Sequence, residues 1–561
     1  MRKNHFIALG VLCFLCTQEA FSQETLIRGL DPGSIQQHSF KTQEYQEQQK
    51  QLLETPAKEE PADIISDMVE AENAPPVPSK ITVLVNKVNV SSSEILTDNE
   101  VNEITAKYVH KNVSIDEIKS LLHEINNLYK EKDYITAKAV LPPQTVEGGV
   151  LHIELIEGKI GKIIVEGNKY TRSAYILDKI EQESGELLKL RKLEQDIVDF
   201  NNKNDVKIQG RIQAGENLSE TDIILSVRDP NPFHIVPSFD NTGRKTIGTL
   251  KSGLALSNDS LLGYRDSLIV GTNLARGTTA AYTNYSFPIG NKGTRVNGLF
   301  SYNHINIVSG YFKPLNVSGN SFNYGGSVSH PFIYNKRLKI SGDLGFNFKE
   351  STTYFDGYPL IDTSVRTVNT GLHAEVYDKY GIWHASNNFV TGLNLLGGDN
   401  SFFKYEGSVY RVHKITNNIT GLFRASTLLS PNDDLPTLEQ YQLGGVSSVR
   451  GFSEGLLMGN NGYFLSGQIF FPFPFLPEKI YKLPVKKTLR GVVFCDHGAA
   501  YPYKPDRSAN QMDYLTSVGM GLRINLSKYM MATFDWGFGL GRREQDQPIS
   551  RLHFGLQSNP L

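Results

Sequence analysis

At 561 residues the chain exceeds one ordinary domain, and length alone suggests roughly three or four units. Its 57 Lys+Arg against 59 Asp+Glu give a formal charge of −2, without the basic excess that nucleic-acid binding needs. Mean hydropathy is −0.30, and past the N-terminus no run of about 18 apolar residues occurs, which excludes a polytopic helical membrane protein. Composition is uneven: residues 1–229 hold 11 of the 49 Gly and 11 of the 57 aromatics, and residues 230–561 hold the other 38 and 46. Two physically different regions meet near residue 230.

Residues 1–22 read as a secretory signal peptide: Arg2 and Lys3 precede an apolar run from Phe6 to Cys16, and Ala20 and Ser22 stand at −3 and −1 before Gln23. Its removal would leave Cys495 alone, with no internal disulfide and no thiolate metal cluster. Residues 23–54 form an N-terminal helix region, helical from about His38 to Glu54. That segment lacks Gly and Pro, is rich in Gln, Glu, Lys and Leu, and carries too few apolar residues for a core face. It therefore belongs in water or in a wet channel. Residues 55–80, with five Pro and a run of acids, form a linker.

Two small α/β units follow, at 81–158 and 159–229. The first has a strand at Ile81–Val90, a capping box at Ser114 and Glu117, a helix with Ile118, Leu121, Leu122, Ile125 and Leu128 on one stripe, and a strand at Val150–Ile156. The second has strands at Ile160–Val165, Val206–Ile212 and Asp222–Val227, with helical patterns at Ser173–Glu183 and Leu190–Asn201. Their strand edges suit either an extended peptide or no ligand at all.

From residue 230 the period becomes two. In Leu338–Phe348 the positions Leu338, Ile340, Gly342, Leu344, Phe346 and Phe348 alternate with Lys339, Ser341, Asp343, Gly345 and Asn347, and Val518–Leu526, Met530–Phe538 and Leu552–Leu556 repeat the pattern. Strands of about 9–11 residues with a polar interior predict an antiparallel transmembrane β-barrel over 230–561, with 16 strands comfortable and 14 or 18 also fitting. One connection, 430–462, is too long for a plain turn and too apolar to dangle in water, so it is expected to fold back into the lumen. The chain ends in SNPL with Phe554 as its last aromatic, which leaves the closing strand open.

Within that connection, Val449, Arg450, Gly451 and Phe452 form a VRGF motif, and Phe494, Asp496 and Gly498 form F-x-D-x-G on a later strand. These motifs, with LEQYQLGGVSSVRGFSEG and NGYFLSGQIFFP around them, resemble the outer-membrane transporters of two-partner (type V) secretion, the haemolysin secretion and activation type of the POTRA-plus-barrel superfamily. The resemblance covers nearly the whole mature chain in the order plug helix, linker, two POTRA domains (81–158 and 159–229) and barrel. It implies an outer-membrane pore whose N-terminal domains, in the periplasm, receive an unfolded exoprotein bearing an N-terminal secretion domain. That adhesin, haemolysin or toxin would be exported without ATP by a monomer set in outer-membrane lipids. It also implies an ion pair between Arg450 and Asp496. Alternation agrees, since Arg490, Val492, Phe494, Asp496 and Gly498 share the lumenal face and Cys495 faces lipid, with His497 an interfacial residue.

Enzymatic motifs are absent. Gly537, Gly539 and Gly541 have nucleotide-loop spacing but sit in an alternating strand with no helix after it, and the 13 His are scattered. No catalytic residue, cofactor, metal or nucleic acid is expected. A barrel-assembly insertase of the same superfamily is the main alternative, and a passive porin or receptor the other.

Overall fold

The computed structural model describes residues 30–53, 65–66, 82–217, 219–399, 401–431, 434–477, 479, 488–501, 514–527, 530–541 and 548–558. The expected signal peptide and nearly all of the linker lie outside them. Contacts divide the chain into two units, residues 58–230 and residues 1–57 with 231–561.

In the first unit, helix α2 (Asp98–Thr105) and helix α3 (Ile115–Glu131) pack on short strands. Each starts from a complete capping box, Thr97 with Glu100 and Ser114 with Glu117. Ile118, Leu121, Ile125 and Tyr129 of α3 face Leu151 and Ile153 of the strand Val150–Ile156 in one core. The strand expected at Ile81–Val90 is two, Thr82–Val85 and Lys87–Val90, because each half has a different partner. The former runs antiparallel to Lys111–Ser114, the latter parallel to Val150–Ile156, and at the break the Asn86 N–H donates to the Gly149 carbonyl at 2.7 Å.

The second α/β module has a sheet in the order Ile65–Ser66, Lys207–Ala214, Glu220–Arg228, Lys159–Glu166, with helix α4 (Ser173–Leu177) and helix α5 (Leu190–Lys203). The apolar stripe of α5, Leu193, Ile197 and Phe200, is buried in its core. The helix expected over Ser173–Glu183 stops at Leu177 because the following residues bond elsewhere. Glu181 N–H donates to Asp196 of α5 at 2.9 Å, and Gln182 exchanges two bonds with the backbone of Lys189 at 2.8 and 3.1 Å.

The other unit is a closed antiparallel barrel, sixteen strands among the described residues. They are β1 Phe233–Asp240, β2 Lys251–Asn258, β3 Ser267–Ala275, β4 Thr278–Ile289, β5 Thr294–Asn306, β6 Val317–Tyr334, β7 Leu338–Phe355 and β8 Tyr358–Asp378. The series continues with β9 Gly381–Gly392, β10 Phe402–Lys414, β11 Thr420–Leu429, β12 Asn461–Pro472, β13 Leu489–Tyr501, β14 Tyr514–Ser527, β15 Met530–Leu540 and β16 Ser550–Ser558. Every strand is neighboured, which is what removes unpaired backbone groups from lipid. Leu344, Met520 and Leu552 point outward and are exposed, whereas Ser466, Asp496, Arg523 and Asp535 point inward and are buried. The closing strand is β16, which meets β1 at Ser238↔Gln557, Phe239↔Leu556 and Asp240↔Gly555. Phe554 stacks obliquely on Phe239 across that seam, their ring centroids 5.8 Å apart. Strand length varies more than alternation suggested. β1 and β2 have 8 residues, β6 and β7 have 18 and β8 has 21, so the longest ones outrun the roughly 9–11 residues that lipid requires.

Helix α1 (Pro32–Leu53) starts earlier than the sequence suggested. Asp31 caps it, accepting the Ser34 N–H at 2.7 Å, and Pro32 occupies the first turn, where its missing N–H costs nothing. The helix bonds to inward residues of distant strands: Asn303 of β5 donates to the Pro32 carbonyl at 3.0 Å, Ser321 of β6 donates to Gln36 at 3.1 Å and Arg523 of β14 donates to Gln49 at 3.0 Å. It therefore crosses the lumen, where inward polar side chains of the wall bond to its polar surface.

Candidate functional site: the seat of the lumenal loop

The connection between β11 and β12 folds into the barrel because its apolar residues find partners there. Leu435, Leu438, Leu443, Val449 and Phe452 join Val365, Val390, Phe402 and Phe464 of the wall in one buried cluster. A small antiparallel hairpin, Tyr441–Leu443 with Leu457–Gly459, holds the base of the loop. At the tip the Gly445 and Phe452 N–H groups both donate to the Val449 carbonyl at 3.2 Å, and the Val446 N–H donates to Glu454 at 3.0 Å. These bonds turn the chain so that Arg450 projects at β13.

Arg450 meets Asp496 as a fork. Nη2 lies 2.8 Å from Oδ1 and Nε 2.9 Å from Oδ2, with the Arg450 backbone N–H adding a third bond at 3.3 Å. The guanidinium carbon stands 3.4 Å over the centre of the Phe494 ring. Asp496 also accepts from Ser466 at 2.8 Å and Ser517 at 3.3 Å, so its lone pairs are filled. Side-chain exposure is 1 % for Arg450 and 0 % for Asp496. A fork this dry and this well bonded balances the cost of taking two charges from water, whereas one partner alone would not.

All seven motif residues converge. Val449 and Phe452 are buried, and Gly498 leaves room for Leu443, since a Cβ there would come within 2.8 Å of its methyl. Gly451 crosses the backbone of β15, where a Cβ would lie 2.5 Å from the Gly539 nitrogen. Reciprocally, a Cβ on Gly537 would sit 2.7 Å from the Arg450 carbonyl carbon, and one on Gly539 2.9 Å from the Phe452 ring. The glycines of β15 are therefore the floor on which the loop tip rests. The motif pattern did not disclose this. Its sequence trace is that Asp535, Gly537 and Gly539 share the inward parity.

Further residues missed from the sequence surround the pair. Arg523 and Asp535 make a second fork at 2.9 and 3.0 Å, and Asp535 stands 3.8 Å from Arg450. His553 of β16 donates to the Arg450 carbonyl at 2.8 Å. The plug side contributes too. The Tyr45 hydroxyl of α1 is 3.4 Å from Arg450 Nη1, His38 Nε2 is 2.7 Å from Glu454 of the loop, and Gln442 donates to the Ser34 carbonyl at 2.8 Å. Helix, loop and wall thus share one polar network, and each element helps to desolvate the charges of the others. Cys495 and His497 lie on the outer face of β13, His497 between Tyr463 at 3.0 Å and Thr516 at 2.8 Å. Among the described residues no cluster of His, Cys, Asp or Glu is placed to hold a metal.

Comparison with known proteins agrees with this architecture. The family model "Haemolysin secretion/activation protein ShlB/FhaC/HecB" matches residues 219–524, and "POTRA domain, ShlB-type" matches residues 83–158. The heme/hemopexin transporter protein HuxB of Haemophilus influenzae is 25 % identical over 476 residues, 78 % of this chain and 79 % of its own. The outer membrane transporter CdiB of Dickeya dadantii is 24 % identical over 533 residues, 89 % of each chain. The solved structure of CdiB from Escherichia coli superposes with a TM-score of 0.61 at 22 % identity, covering 94 % of this chain and 98 % of that one, a likeness of fold. The chain belongs to the haemolysin secretion/activation (ShlB/FhaC/HecB) family: it is a two-partner secretion transporter of the outer membrane, with N-terminal POTRA domains in the periplasm, and it exports a partner exoprotein across that membrane.

Proposed function

We propose that the Arg450–Asp496 fork is the latch that sets the working conformation of the lumenal loop, and that residues 23–54 are the plug that occupies the pore at rest. Residues 55–80 act as the linker, and the domains at 81–158 and 159–229 receive the partner in extended form. The partner is an adhesin, haemolysin or toxin with an N-terminal secretion domain. The transporter works as a monomer, and folding of the partner outside the cell drives transport. The observation that carries this reading is that the fork ties the tip of the loop to the wall while its guanidinium also meets the helix through Tyr45, so one side chain touches both obstructions of the lumen, alongside the tie of Glu439 at the base of the loop to Lys349 and Lys404 of the wall, each at 2.6 Å.

Co-expression with the product of the neighbouring reading frame tests it. The partner should appear outside cells carrying the intact transporter and stay inside cells carrying an assembled Arg450→Ala barrel. Normal export by that variant removes the latch from the mechanism.

A further inference from the structure

Helix α1 turns one stripe toward the lumenal loop. Ser34, His38, Lys41 and Tyr45 recur at steps of four, three and four residues, which puts them on one face. Each meets the loop: the Ser34 carbonyl accepts from Gln442 at 2.8 Å, His38 lies 2.7 Å from Glu454, and Lys41 Nζ stands 5.2 Å over the Tyr441 ring. The Tyr45 hydroxyl accepts from Arg450 at 3.4 Å. Tyr45 is the largest of the four and only 3 % exposed.

The ring of Tyr45 also meets the wall, through a residue outside both sequence motifs. Arg424 of β11 holds its guanidinium carbon 4.6 Å from the centre of the Tyr45 ring and 5.4 Å from that of Phe464 on β12. Its Nη2 donates to the Ser447 carbonyl of the loop at 3.2 Å. Among the described residues no carboxylate pairs with Arg424, so its charge is left to the two rings and the carbonyl. A planar guanidinium can stack on rings and donate within its plane at once, which a lysine ammonium cannot. One side chain of the wall thus holds helix and loop together, at a place separate from the Arg450–Asp496 fork. Beside it a cavity of about 230 Å³, lined also by Lys41, Glu44, Glu406 and Tyr410, leaves the guanidinium room to swing aside.

We propose that Tyr45 is the residue by which the lumen retains helix α1, and that Arg424 is the positioning residue of the wall that clasps it. The inference rests on the reading of residues 23–54 as the plug and deepens it by naming what holds the plug in place. The polar bonds of α1 can be exchanged for bonds to water as the helix leaves, whereas the desolvated stack on Arg424 has no equal outside. The helix has too few apolar residues to be stable alone, so a helix released from the clasp loses its hydrogen-bonded turns.

The test follows hydrogen exchange of the backbone amides of residues 34–49 in the full chain in detergent, with the heat-dependent shift in electrophoretic mobility reporting that each barrel is closed. Tyr45→Leu, which improves helix propensity, should nevertheless speed that exchange by about ten-fold or more. Tyr45→Phe keeps the ring and drops the hydroxyl, and should exchange as slowly as the natural chain. Arg424→Gln should match Tyr45→Leu, and the two combined should add nothing further, because both remove one contact. If Arg424→Gln fails to close its barrel, the two Tyr45 variants, which leave every strand intact, decide alone. Unchanged exchange in Tyr45→Leu overturns the clasp, as do fully multiplicative effects of the two changes. Fast exchange in Tyr45→Phe would move retention to the hydroxyl bond with Arg450 and overturn the role of Arg424. If the amides of the natural chain already exchange as in an unfolded peptide, the plug reading itself fails and the clasp with it.

Discussion

Two ion pairs of almost equal length stand in the two halves of the molecule. Arg450 Nη2 lies 2.8 Å from Asp496 in the barrel lumen, with side chains 1 % and 0 % exposed. Lys107 Nζ lies 2.7 Å from Glu124 in the periplasmic unit, with side chains 56 % and 36 % exposed. Distance does not separate them; solvent does. The exposed pair is screened by water and salt and contributes about 0–1 kcal/mol. Breaking the buried one strands a charge where water cannot reach it, at roughly 3–5 kcal/mol. The same bond length is thus surface decoration in one region and a conformational lock in the other.

The largest break of that contrast is Arg450→Ala. The barrel should still assemble, because its sixteen-strand ladder does not include the loop, and export should fall to background in a secretion assay. Adding Asp496→Ala should recover part of the lost thermal stability, since the carboxylate stranded by the first change is then removed, without restoring export. Recovery of export by the double variant would show that the pair matters for folding alone. Lys107→Gln in the other half should leave both readouts within experimental scatter.

Glycine on the two faces of the wall sharpens the same point by shape rather than charge. Gly537 faces inward, and its added Cβ would lie 2.7 Å from the Arg450 carbonyl carbon, whereas Gly467 faces outward with nothing within 4 Å. Gly537→Val should push the loop tip off its seat and cut export by an order of magnitude or more, because backbone cannot yield as a flexible side chain does. Gly467→Val should be silent and serves as its control. A smaller effect is expected from Ser114→Ala at the start of α3, about 1 kcal/mol. Hydrogen exchange of the first-turn amides, including the Glu117 N–H that Ser114 caps at 3.3 Å, measures it.

These contrasts also explain what the sequence could and could not convey. Alternation at Leu338–Phe348 was readable because each face meets a different medium, lipid or the wet lumen, and every second residue records it. Arg450 and Asp496 were readable through their motifs. Gly537 and Gly539 were not, because a glycine records only that something comes close, and the loop that does so lies about ninety residues upstream. The early start of α1 was hidden by Pro32 and Gly33, which look like breakers until Asp31 is recognised as the cap. Helix α2 was missed because it has only 8 residues, although its Thr97 and Glu100 box was present to be read. His38, Tyr45 and Gln49 passed as ordinary polar residues of a solvated helix, since nothing local indicates that their water is replaced by a barrel wall.

The mildest prediction puts pH on the exposed side of the comparison. Glu100 accepts from Lys132 Nζ at 2.8 Å and from the Thr97 N–H and hydroxyl, each at 2.9 Å. Lys132 first, then the Thr97 bonds, hold its carboxyl down at about 2, below the ordinary 4.5. A carboxylate whose folded value is depressed adds stability that is complete above its unfolded value and is lost as pH falls toward the folded one. The window is therefore pH 4.5 down to about 2, and the affected element is α2, whose first turn Glu100 helps to close. Glu100→Gln keeps the shape of the box and removes the titration. Exchange of the α2 amides, corrected for intrinsic rates, should steepen across that window in the natural chain and stay flat in the variant. Equal slopes would mean that water screens the Lys132 contact completely, and then even the capped carboxylates of the periplasmic unit would share nothing with the buried fork but their bond lengths.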